Sequence, residues 1–164
     1  SLVPSYDKAK RLIDFLDSMQ EQTRLKASEI MCQKVFSILP EKTVREAVKM
    51  MKKNAVSQLP VIKNGMAVGT VSEKAILEEL HSEEEARDLG KLRVEEIMQD
   101  AMPVIQENAP FDLISSMLEY SPGVLVGKKG KIQGIITKAD LLNVMLSKGP
   151  KRAKSPFFGQ KQKL

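Results

Sequence analysis

The chain repeats itself, and that constrains its fold more than any local feature. Ala27-Ser28-Glu29-Ile30-Met31 returns as Val94-Glu95-Glu96-Ile97-Met98, and at the same offset Ile38 meets Ile105, Val44 meets Phe111, Ala47 meets Ile114 and Met50 meets Met117. After a short deletion the register resumes, with Gly65 matching Gly130, Gly69 matching Gly134 and Ser72 matching Thr137. Two copies of a unit of about 55 residues are the economical reading. Such a unit alone buries too little surface for comfort, so the copies are expected to pack together. Packing with pseudo-twofold symmetry leaves a cleft between them, and that cleft is the first place to look for function.

Each copy spells the same elements. Val35 to Leu39 reads as a short extended stretch ending at Pro40. Thr43-Val-Arg-Glu46 has the spacing of a capping box, in which hydroxyl and carboxylate satisfy free amides at a helix start. Val44, Ala47, Val48 and Met51 then share one helical face. Leu59–Ile62 and Met66–Val71 read as strands, and Asn64-Gly65 between them is a hairpin signal. Ser72 is placed to cap a second helix carrying Ala75, Ile76 and Leu80. The second copy repeats this: an extended stretch from Met102 to Gln106, Pro110 at a helix start, a hairpin around Gly127–Gly130, and Thr137 capping a helix with Leu141, Leu142 and Met145. The expected fold class is α+β, two β-α-β-β-α repeats. The divisions are an N-terminal helix and linker over 1–26, repeats over 27–80 and 94–147, a charged linker over 81–93, and a basic tail over 148–164.

Composition narrows the function classes. The net charge of +5 is carried by the tail, where Lys148, Lys151, Arg152, Lys154, Lys161 and Lys163 stand with no acid; the rest is close to neutral. A nucleic-acid-binding role therefore rests on the tail alone. One cysteine, Cys32, excludes an internal disulfide and any CxxC metal site, and points to a reducing, cytoplasmic compartment. The lone histidine, His81, falls in the charged linker. No paired carboxylates at metal spacing and no nucleophile with a base stand out, so an enzyme is not expected. No apolar run reaches the ~18 residues of a membrane span.

Four motifs, taken in order, resemble a tandem pair of cystathionine β-synthase (CBS) domains: Glu29-Ile-Met31, Val56-Ser-Gln-Leu-Pro-Val-Ile62, Gly69-Thr-Val-Ser72 and Gly134-Ile-Ile-Thr-Lys-Ala-Asp140. The resemblance covers residues 27–147. It implies a regulatory module binding an adenosine-containing ligand such as AMP, ATP, S-adenosylmethionine or methylthioadenosine, and pairing into homodimers. The last motif also has a physical sense of its own. Thr137 ends a strand and begins a helix, where free amides and the positive helix end favour an anion. Asp140, one turn later, can accept hydrogen bonds from the vicinal hydroxyls of a ribose. The plainer alternative is an N-cap and a first-turn acid with no ligand.

The first copy has Ala75 where the second has Asp140, so one competent site per chain is expected. By resemblance, Ile135, Thr137 and Asp140 face Met31, Val35, Phe36, Val56, Ser57, Gln58 and Pro60 of the first copy. The adenine would lie among Met31, Phe36 and Ile135, with main-chain groups of Val56 to Gln58 reading its edge. Family members that bind several phosphates carry His or Arg where this chain has Ser121-Pro-Gly-Val124. Lys34 or Lys138 can neutralise one phosphate, which favours AMP or S-adenosylmethionine over ATP.

Residues 5–22 read as an amphipathic helix with Ala9, Leu12, Ile13, Leu16 and Met19 on one face. Pro4 to Ile13 resembles the last helix of a phage-repressor-type helix-turn-helix domain, which implies a DNA-binding domain missing upstream; the alternative is a helix that closes the module or its dimer. The tail is expected to lack structure of its own, with Phe157-Phe158 its only large apolar groups. The reading is thus a ligand-sensing regulatory module. The alternatives are nucleic-acid binding through the tail and a ligand-free dimerisation module.

Overall fold

Two short antiparallel hairpins, each flanked by helices, organise the computed structural model, which describes residues 6–81 and 88–147. Helix α1 (Tyr6–Thr23) leads to the one-turn helix α2 (Ala27–Ile30). The first repeat continues with α3 (Val44–Asn54), β1 (Gln58–Lys63), β2 (Met66–Ser72) and α4 (Glu73–Leu80). After a 3-10 turn at Leu89–Lys91 come α5 (Val94–Ile97), β3 (Val104–Gln106), α6 (Phe111–Tyr120), β4 (Gly123–Lys128), β5 (Lys131–Thr137) and α7 (Lys138–Leu146). The acidic run Glu83–Glu85 and the basic tail lie outside the described residues.

Both hairpins turn through two left-handed residues, Asn64 (φ 52°) with Gly65 (φ 79°) and Lys129 (φ 49°) with Gly130 (φ 75°). That geometry matches the twist of the strands it joins. Alternate strand residues fill two cores. Leu59, Val61 and Val71 pack with Ile38, Ala47 and Met51 in one; Val124, Val126 and Ile136 pack with Ile105, Ile114 and Leu118 in the other.

The expected strand at Val35–Leu39 is reduced to a single parallel bridge between Ile38 and Val61. Ile38 N donates to Pro60 O (3.1 Å) and Ile62 N donates to Ile38 O (3.0 Å). The next bonds on either side would need amide hydrogens on Pro60 and Pro40, and proline has none. In the second repeat Leu125 stands where Pro60 does, donates to Pro103 O at 2.8 Å, and the strand β3 forms beside β4.

The repeats exchange their first helices. Ala27 and Ile30 of α2 are buried in the second repeat's core, whereas Val94 of α5 is buried in the first repeat's. Cys32 N donates to Ile135 O (2.9 Å) and Ile135 N to Cys32 O (3.0 Å). The mirror pair is Thr70 N to Gln99 O (2.9 Å) and Gln99 N to Thr70 O (2.8 Å). Glycine is needed at both crossings. A Cβ on Gly134 would sit 2.6 Å from Met31 Sδ and 2.9 Å from Cys32 O, and one on Gly69 would sit 2.5 Å from Met98 Sδ.

Thr43 and Glu46 form the expected capping box: Glu46 N donates to Thr43 Oγ1 (3.2 Å) and Thr43 N donates to Glu46 Oε2 (2.9 Å). The Thr43 amide, with Lys42 Nζ at 3.0 Å, lowers the Glu46 pKa from 4.5 to about 2. A carboxyl whose pKa is depressed on folding adds stability above its unfolded pKa and loses it as pH falls through the folded one. Glu46→Gln keeps the box but cannot titrate. In urea unfolding between pH 6 and 2, wild type should therefore lose more stability than Glu46→Gln from pH 4.5 down to about 2. Parallel curves would show that the box contributes nothing to acid stability.

The apolar face expected on α1 forms but is largely uncovered, with Leu12 58%, Ile13 57% and Leu16 50% exposed. The helix runs beside α6 and α7 of the second repeat.

Candidate functional site

At the seam between the repeats, the start of β1 meets the start of β4. Gln58 Nε2 donates to Pro122 O at 3.3 Å. Gln58 and Gly123 hold the same place in their hairpins, opposite Ser72 and Thr137 respectively. Gln58 thus reaches across the seam to the residue beside Thr137's strand partner.

Thr137 and Asp140 belong to the second repeat. Thr137 caps α7, and Asp140, only 7% exposed, accepts from Thr137 N (2.8 Å) and Thr137 Oγ1 (2.7 Å), both on Oδ2. The carboxylate is therefore locked in a capping box with one oxygen. Its other oxygen, Oδ1, takes no hydrogen bond among the described residues. Ser72 makes the corresponding cap on Ala75 N (3.1 Å), without a carboxylate. Ile135 is half-buried and tied to Cys32, while Met31 lies over Gly134 and packs on the second core. Met31, Ile135, Thr137 and Asp140 are in this way gathered on one repeat by the exchanged helix.

The remaining candidates lie on the first repeat. Val56 packs on its core, and Val56 N donates to Met51 O (3.0 Å). Ser57 is exposed, its carbonyl accepting from Glu73 N (2.9 Å). Pro60 is buried with its carbonyl taken by Ile38. Those bonds commit Val56 N and Ser57 O to the fold. Val35 and Phe36 line an open pocket of about 520 Å³ against α3, together with Ser37, Met50, Lys49 and Lys53. Lys34 Nζ stands 5.1 Å from the centre of the Phe36 ring. The structure thus sets Val35 and Phe36 against α3, and sequence reasoning missed the α3 residues beside them. Lys49 and Lys53, four apart on the helix, were the available signal.

One further polar group was not anticipated. Thr70, the first repeat's counterpart of Ile135, has a buried hydroxyl with no hydrogen-bond partner among the described residues. Also among those residues, no cluster of three His, Cys, Asp or Glu can hold a metal ion, and no helix is long and apolar enough to cross a membrane.

Duplicated hairpin units, a shared seam and a capped Thr-x-x-Asp on one side of it define a tandem-repeat α+β module. The chain belongs to the CBS-domain family, whose family-wide pattern matches residues 27–82 and 94–147. It is 30% identical over 142 residues to an uncharacterized protein of Methanocaldococcus jannaschii, covering 85% of this chain and 45% of that one. It is 28% identical over 132 residues to an inosine-5'-monophosphate dehydrogenase of Korarchaeum cryptofilum, covering 76% of this chain and 26% of the enzyme. The chain therefore spans less than half of either relative. Among solved structures, the CBS domain of a bacterial CNNM/CorC family Mg2+ transporter in complex with ATP superposes with a TM-score of 0.69 at 20% identity, over 82% of this chain and 96% of that one. An uncharacterized conserved protein from Pyrococcus horikoshii gives 0.65 at 25% identity, over 79% and 98%. CBS pairs are regulatory modules that often bind adenosine ligands.

Proposed function

We propose that this chain is a ligand-sensing module that takes one adenosine-containing metabolite at the seam, AMP or S-adenosylmethionine in preference to ATP. The carrying observation is the Thr137–Asp140 box beside the Gln58–Pro122 contact. Asp140 Oδ1 is the acceptor for a ribose hydroxyl, and the amides at the start of α7 receive a phosphate or carboxylate. The Val56 carbonyl and Ser57 amide offer an acceptor and a donor to an adenine edge, with Met31, Ile135 and Pro60 as apolar walls. Ala75 leaves the pseudo-equivalent site without its acid, so one ligand binds per chain.

Binding across the seam favours the conformation in which the repeats are drawn together, and that population shift is what an attached or partner domain reads. A DNA-binding domain preceding α1, and a homodimer of modules, fit this role.

The test is thermal unfolding with AMP, ADP, ATP, S-adenosylmethionine and methylthioadenosine, beside Asp140→Ala. A ligand at 100 times its dissociation constant adds about 2.7 kcal/mol, or about 5–10 °C for a chain of this size. Asp140→Ala also removes half of a helix cap, which lowers its own midpoint. The readout is accordingly the ligand-induced increment over each variant's midpoint. AMP or S-adenosylmethionine should raise wild type and leave Asp140→Ala unmoved. An equal increment in both would remove the site assignment, and no increment with any ligand would favour the structural dimerisation role.

A further inference from the structure

The pocket against α3 is distinct in chemistry from the seam. Its floor is apolar, built from Val35, Phe36 and Met50, and its rim carries Lys49 and Lys53. Neither lysine pairs with an acid among the described residues. The pocket's one acid, Glu46, is committed elsewhere, with its oxygens bonded to the Thr43 amide and hydroxyl and to Lys42. Asn54 donates its side-chain amide back to Met50 O at 2.9 Å, and Ser37 completes the lining. The volume, about 520 Å³, falls in the range of small-molecule sites.

The fold does not require these charges. At the matching places in the second repeat stand Met102 and Pro103 for Val35 and Phe36, and Ser116 and Tyr120 for Lys49 and Lys53. The same helix position is thus served by uncharged residues in one copy and by a cationic rim over an aromatic floor in the other. A neutral apolar ligand would leave two ammonium groups with no counter-charge, and a small hydrophilic anion would leave Val35 and Met50 uncovered.

We propose that this pocket is a second binding site, separate from the seam, for a small anion with a flat apolar body: a carboxylate, sulfonate or phosphate ester on a ring system. The ring lies on Val35 and Met50 beside Phe36, whose own ring has Lys34 Nζ 5.1 Å from its centre, and the anion is held between Lys49 and Lys53.

The probe is 2-naphthalenesulfonate, titrated into the 15N-labelled full chain and followed by amide chemical shifts, beside the neutral 2-naphthalenesulfonamide. Shifts are expected in residues 35–37 and 46–54. Lys49→Gln with Lys53→Gln should weaken the sulfonate about tenfold, as should replacing it with the sulfonamide, because two exposed charge contacts together supply about that factor. Raising salt to 0.5 M should weaken the sulfonate and spare the sulfonamide. Asp140→Ala should bind the sulfonate as wild type does, which separates this site from the adenosine ligand's. Shifts confined to the exposed face of α1 or to residues 135–140 would overturn the proposal. So would a double variant that binds the sulfonate unchanged while its own spectrum shows α3 intact.

Discussion

Gly134→Val should destabilise the chain by about 2–4 kcal/mol, one of the largest losses available to a single substitution outside the hydrophobic side chains. The added carbon meets two obstacles. Met31 Sδ, 2.6 Å from the Cβ position, can swing away because methionine is flexible. The Cys32 carbonyl, 2.9 Å away, is backbone, and it moves only by opening the paired bonds between Cys32 and Ile135. Those bonds dock the exchanged segment, so the loss includes partial undocking of α2. Urea unfolding gives the measurement, with Gln133→Ala on the exposed side of the same strand as a control expected within about 0.5 kcal/mol of wild type. Adding Met31→Ala to Gly134→Val should restore only part of the stability, since it clears the sulfur and leaves the carbonyl. Full restoration would show that the sulfur was the whole obstacle and that the main-chain bridge tolerates a side chain.

Ile30→Ala tests the exchange from the other direction. Ile30 is fully buried, and truncating such a residue costs about 2–5 kcal/mol, from lost apolar burial and the cavity left behind. The informative part is where the damage falls. By sequence Ile30 belongs to the first repeat, yet it packs with Ile114, Val124 and Ile136 of the second. Amide hydrogen exchange should therefore accelerate first in α6, β4 and β5, with β1 and β2 better protected. The reverse order would mean that α2 packs on its own repeat in solution. The same reasoning predicts that residues 94–147 alone do not hold a native core, because Ala27 and Ile30 are missing from it and Val94 has nowhere to go.

Much of this was legible in the residues. The repeat announced two copies, Thr43 and Glu46 announced a cap, and Asn64-Gly65 announced a turn, because each is a local rule with a short reach. The second hairpin was harder. Lys129 takes the left-handed place that Asn64 holds in the first, and nothing about a lysine suggests it. The strand at Val35–Leu39 was overread, although Pro40 and Pro60 were both in view. Their joint effect depends on which residues face each other across the bridge, and pairing is a tertiary fact. The exchange of α2 and α5 was illegible for the same reason: Ile30 and Val94 signal burial and do not say against what. At the seam, the spacing of Thr137 and Asp140 places both at the start of α7, but the commitment of Asp140 Oδ2 to the cap is visible only in three dimensions. The face of α1 shows the converse limit, since periodicity shows which residues are apolar and is silent on whether anything covers them.

The exchanged helices bear on how such a chain can be inherited. A repeat that lends its first turn to a neighbour and borrows one in return is not a self-sufficient cassette. Deleting one copy would leave the survivor with a bare glycine groove and an unhoused helix, and inserting a third would leave one lender without a borrower. The heritable unit is therefore the couple, gained and lost together. Within it, side chains at the seam can drift apart, as Ala75 and Asp140 have done, while Gly69 and Gly134 remain under the same steric demand.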